Sequence, residues 1–237
     1  MNLNPIVMLR HPIRFIGAIL EKPNFKKAFF IVLLPTALYA LFNLLSGLAI
    51  DVFETIKYGA TSYLAWIIIA AIIYFVAFLA KGKEIRGKFL PILCAISIIW
   101  LLVALLMLVT FVAVYSSPKI FALMMAIRKS PIGTNEVAQI YSLLSNKNME
   151  GLKEYASAHG INLELSDLPA EADLNAFYNT MLIAEAISLL LLFYIIFVYP
   201  LSTIKAVTKL GYAQSFVWYL ISSLIIVPCL FVLVLHA

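Results

Sequence analysis

The chain has 237 residues, of which 64% are hydrophobic and only 12% charged, and its mean hydropathy is +1.01. No ordinary soluble domain of this length buries that much apolar surface and keeps a wettable exterior. The net charge of +5 does not point to nucleic acid, because the basic residues hug the ends of apolar runs, where membrane topology and anionic headgroups account for them.

Residues 1–27 are too polar to span a bilayer. Pro12 suits the first turn of a helix, and Ile13, Ile16, Ile19 and Leu20 fall near one face, away from Arg14, Glu21 and Lys22. The expectation is a cytosolic leader carrying a short helix that lies in the membrane interface. Lys22-Pro23-Asn24 ends it before the first apolar run, which lacks a small-residue cleavage site and reads as a retained span.

Five apolar runs follow, at 28–50, 63–80, 89–115, 180–200 and 216–235. About 20 consecutive apolar residues cross a hydrocarbon core as a helix. None of the runs alternates strictly, so helices rather than strands are expected. The fold class is all-α: a polytopic bundle of five spans with a small helical insertion. Its divisions are 1–27, 28–115 for the first three spans, 116–179 for the insertion, and 180–237 for the last two. Pro35 and Pro228 predict kinks, Pro91 sits near a helix start, and Pro200 marks a helix end. Tyr58, Tyr63, Trp66, Tyr115 and Tyr178 are expected at the outer interface, and Tyr199, Tyr212, Trp218 and Tyr219 at the inner one.

Charge sets the orientation. The leader, the connection at 81–88 and the connection after the fourth run together hold eleven basic residues, and all three fall on one side. Lys/Arg excess marks the cytoplasmic side. The N-terminus is therefore expected in the cytoplasm and the C-terminus outside, in a cell membrane or, in a eukaryote, an endomembrane. Cys94 and Cys229 differ in expected depth by roughly 12 Å, too far for a disulfide. In the insertion, Thr134 can cap a helix through Val137, Ile140, Tyr141 and Leu144. Asn148 can cap another through Leu152, Tyr155 and Ala156, closed by Gly160. An apolar patch at 120–127 lies upstream.

Candidate sites are few. Glu185 is the one acidic residue well inside an apolar run, and an ionisable group there suggests function. Asn43, Thr110 and Ser188 are expected near it, forming an intramembrane polar cluster that acts either as a joint between helices or as an ion or substrate site. Arg10, Arg14, Lys26, Lys27, Lys81, Lys83, Arg86, Lys88, Lys205 and Lys209 form a candidate cytosolic contact face. The 81–88 loop lacks the phosphate-loop spacing. His11, His159 and His236 make no metal-ligand spacing, and no nucleophile–base pair is legible. No catalytic residue, cofactor or metal is expected, and the protein is read as non-enzymatic.

The order of several motifs resembles a known family. Leu9-Arg10-His11-Pro12-Ile13-Arg14-Phe15-Ile16 and Lys26-Lys27-Ala28-Phe29 lead into the first span. The loop Lys81 to Lys88 runs into Phe89-Leu90-Pro91, and the fourth span ends in Tyr199-Pro200-Leu201-Ser202-Thr203-Ile204-Lys205. This resembles the Yip family of Ypt/Rab-GTPase-interacting five-pass membrane proteins, especially its prokaryotic members. The resemblance implies five helices, a cytosolic N-terminus and, for eukaryotic relatives, work in vesicle trafficking by binding prenylated small GTPases. Those relatives carry a long acidic leader with an Asp-Leu-Tyr-Gly-Pro-like motif; here the leader is basic and lacks it, so no GTPase-binding residues are carried over. The expected function is a membrane-organising or protein-interaction scaffold. Its partners would be the bilayer, anionic headgroups and a protein not named by the sequence, or a second copy of the chain. The alternative is a transporter component or small-solute permease using the cluster around Glu185.

Overall fold

The structure is a computed structural model and describes residues 5–45, 51–122, 139–140, 142–143, 148–158 and 170–235. The elements along the described chain are α1 (Pro5–Arg10), α2 (Pro12–Glu21), α3 (Phe25–Leu45), α4 (Val52–Lys81), a 3-10 turn (Gly82–Ile85), α5 (Phe89–Ile96) and α6 (Ile98–Tyr115). They continue with α7 (Met149–Ala158), α8 (Glu171–Phe193), a π-helical turn (Tyr194–Val198), α9 (Tyr199–Thr208) and α10 (Tyr212–Leu235). No strand occurs among the described residues. Four described stretches, Phe25–Leu45, Val52–Ile85, Phe89–Tyr115 and Ala172–Thr208, are long and apolar enough to cross a membrane. Helices of that kind mark a membrane protein. The fifth apolar run lies in α10, a helix of 24 residues.

The chain divides into two compact units, one of Met1–Leu108 with Leu189–Ala237 and one of Val109–Ser188. In the first, α3 runs antiparallel to the first half of α4. Phe25 stacks on Trp66, Phe29 meets Tyr63, and Tyr39 stacks on Tyr58. Gly59 faces Thr36 across this contact. α3 therefore starts halfway along α4. The remaining fifteen residues of α4, about 22 Å of helix, run past that start. α5, α9 and α10 all pack on α4, with Tyr74 of its second half edge-on to Phe89.

α2 packs on α5 and α9. Phe15, Ile16 and Ile19 are buried with Ile204, Val207 and Ile92 in one core. The apolar face expected to lie in lipid is instead covered by protein. The amphipathic spacing was read from the sequence, but a bilayer and a neighbouring helix satisfy such a face equally well. The 82–88 turn is pinned by buried Ile85, and Gly82 and Gly87 adopt φ of 58° and 77°. Those values lie in the region that glycine occupies without steric cost.

Two of the expected spans are interrupted, and the interruptions share a device. At Ser97 the 89–115 helix breaks: Trp100 N bonds Ser97 O instead of continuing the α-helical ladder. Nearby carbonyls find side-chain donors. Trp66 Nε1 donates to Leu93 O at 2.7 Å, and the Tyr199 hydroxyl donates to Ala95 O at 3.0 Å. In the fourth run, Pro200 does not end the helix. It lies in α9 directly after the π turn, and helical structure continues to Thr208. Proline has no N–H for the carbonyl four residues back, which is that of Ile196. Tyr219 of α10 supplies the missing donor, its hydroxyl lying 3.0 Å from Ile196 O. The Tyr194 hydroxyl, in the π turn itself, donates to Met8 O and ties α1 down. Trp66, Tyr199 and Tyr219 are thus buried donors in the helix core.

In the second unit, Asn148 caps α7 as expected, its Oδ1 accepting from Gly151 N at 3.0 Å. Leu152 and Ala156 are buried. Lys119 lies 3.8 Å from Asp173. The expected cap at Thr134, its helix positions Val137, Tyr141 and Leu144, the patch from residue 123 onward, and Gly160 lie outside the described residues. Cys94 is a free, buried thiol, so no bridge to Cys229 exists.

Candidate functional site

The described chain holds an amphipathic cleft of about 840 Å³ in the first unit, where the α1–α2 junction meets the π turn, α9 and the start of α10. Its construction follows from local sequence. Pro12 opens α2, and His11 stands at its N-cap with no side-chain cap bond. Arg10 and Arg14 flank this junction one helical turn apart, and with His11 they line the cleft. Both arginines are exposed, and neither is ion-paired among the described residues. No acidic side chain lines the cleft.

The facing wall is apolar. Phe193 and Phe197 come from either side of the start of the π turn, and Phe216 from the first turns of α10. All three are exposed rather than packed in the core. Tyr219 also lines the cleft, so the residue that satisfies Ile196 O helps shape it. At the rim, Lys205 holds its ammonium over the Tyr212 ring, which lines the same cleft. Two arginines and three phenyl rings therefore line one opening. Such an arrangement can hold an anionic group at one end and hydrocarbon at the other.

A second, smaller cleft of about 240 Å³ lies along the other part of α2. Lys88 and Lys209 line it together with Gly17 and Glu21. The structure thus brings Arg10 and Arg14 to one cleft and Lys88 and Lys209 to the other, with α2 between them. Lys83 and Arg86 are exposed on the 82–88 turn, and Lys81 is half-buried at its start. Lys26 and Lys27 line neither cleft. They open α3 behind the Asn24 cap, whose Oδ1 accepts from Lys27 N, next to Phe25, which stacks on Trp66 halfway along α4.

Of the expected polar cluster, Glu185 and Thr110 are exposed, while Asn43 and Ser188 are half-buried. Thr110, Glu185 and Ser188 belong to the second unit and Asn43 to the first. The amphipathic cleft was not foreseen from the sequence, although the Arg10–Arg14 spacing around Pro12 was its visible signal. No family model matches this chain, no curated protein matches it, and no solved structure matches its fold.

Proposed function

We propose that the protein is a non-enzymatic membrane scaffold of the Yip type. It has five spans, a cytoplasmic N-terminus and a basic cytosolic end that engages a protein partner and anionic headgroups. The observation that carries this reading is the docking of α2 on α5 and α9. Because Phe15, Ile16 and Ile19 are buried, the leader is held in place, and its Gly17–Glu21 side meets Lys88 of the 82–88 turn and Lys209 of the α9–α10 connection in one small cleft. A basic surface held on packed helices suits recognition better than a flexible tail, since less ordering entropy is lost on binding. The exposure of Glu185 on its helix favours this reading over a permease, in which an intramembrane acid would line a polar path.

Crosslinking and pull-down from native membranes test the proposal. A partner should be recovered with the natural chain and lost when Lys83, Arg86 and Lys209 are changed together to Gln. Recovery of no partner, combined with solute flux in liposomes, would overturn it.

A further inference from the structure

We propose that the cleft between the α1–α2 junction and α10 binds one anionic glycerophospholipid. Its headgroup phosphate would lie against Arg10 and Arg14, and part of an acyl chain along Phe193, Phe197 and Phe216. This goes beyond the scaffold reading and rests only on the protein being in a membrane.

Charge complementarity identifies the occupant. The cationic wall holds Arg10 and Arg14, unpaired among the described residues, with no carboxylate lining the cleft to neutralise them. Guanidinium groups match phosphate geometry through paired N–H donors. The opposite wall is phenyl carbon, exposed on helices that carry membrane-spanning runs, and its natural contact is hydrocarbon. A soluble anion would leave the phenyl wall unused, and a neutral lipid would leave the arginines without a counter-charge. Only a molecule with both parts satisfies both walls. The volume of about 840 Å³ lies within the usual range of ligand pockets. It takes a headgroup and the upper part of a chain, the rest of the lipid remaining in the bilayer. The walls come from three separate chain segments, held together by the Tyr194–Met8 and Tyr219–Ile196 hydrogen bonds. The cleft is therefore a packed feature and not a gap between loose ends.

The test uses the full-length protein in phosphatidylcholine nanodiscs doped with photoreactive phosphatidylglycerol, with the labelled peptides mapped. Labelling should concentrate on 193–202 and 212–219. Arg10→Gln with Arg14→Gln should lower it roughly tenfold. Lys22→Gln with Lys57→Gln, an equal change in net charge, should leave it unchanged. Phe197→Gln, at an exposed position, should also lower labelling and does not touch the charges. Equal labelling by photoreactive phosphatidylcholine would overturn the proposal, as would indifference to the arginine pair. Displacement by millimolar inorganic phosphate alone would overturn the acyl-chain part and leave a headgroup-only anion site. Because these variants avoid Lys83, Arg86 and Lys209, loss of lipid labelling and loss of a protein partner are separable results.

Discussion

The two sides of α4 differ in how far they satisfy their buried polar groups. Against α5, and where α9 meets α5 and α10, the helices are broken or bear proline, and side-chain donors from neighbouring helices serve carbonyls at those points. Trp66 serves Leu93, Tyr199 serves Ala95 and Tyr219 serves Ile196; the buried Trp100 indole nitrogen and the Ser215 hydroxyl of α10 are exceptions. Against α3, the Tyr63 hydroxyl likewise serves Phe29 O, but the hydroxyls of Thr36 and Tyr58, and of Ser62 on α4, are buried with no partner among the described residues. An unmade hydrogen bond in a low-dielectric interior is costly, whereas a made one is modestly favourable. The comparison teaches that irregular helices are not the weak part of this molecule. The α3–α4 seam, where α3 itself bears Pro35, carries unpartnered hydroxyls as well.

Three substitutions probe that contrast, each read as the denaturation midpoint in lipid–detergent micelles. Trp66→Phe should do most damage, about 2–4 kcal/mol, because it removes a donor from Leu93 O and shrinks a fully packed side chain. Tyr219→Phe should cost about 1–2 kcal/mol, because Pro200 cannot replace the lost donor to Ile196 O. Thr36→Val should change stability by less than about 0.5 kcal/mol in either direction, since it exchanges an unpartnered hydroxyl for a methyl of similar shape. If Thr36→Val proved as damaging as Trp66→Phe, the distinction between the two sides of α4 would fail.

Much of the helical plan was legible because it depends on apolar run length. The positions of the first four runs match helices of the required length. The Asn148 cap was readable from short-range spacing alone. What escaped depends on distant partners. α4 begins at Val52, eleven residues before the apolar run, because Asp51 caps it by accepting from Glu54 N and because Glu54 pairs with Lys57. A hydropathy pattern is blind to that. Pro200 looked like a terminus because nothing local showed that Tyr219 could replace its missing donor. The aromatic residues assigned to interfaces carry no mark in the sequence to distinguish a belt residue from a buried donor. The basic residues of the site were visible as a set. Their separation into two clefts, with Lys26 and Lys27 in neither, required knowing that α3 starts halfway along α4.

The π turn at Tyr194–Val198 has a consequence for how this segment tolerates length change. A π turn holds one residue more than the α-helical turn it replaces, and each residue advances the helix by about 100°. Everything downstream is thereby re-phased, which sets Tyr199, Thr203 and Val207 facing inward. Shortening the turn by one residue would leave every side chain chemically intact and swing all of α9 out of step with its neighbours. The spare residue works as a spacer, setting which stripe of the following helix the bundle meets.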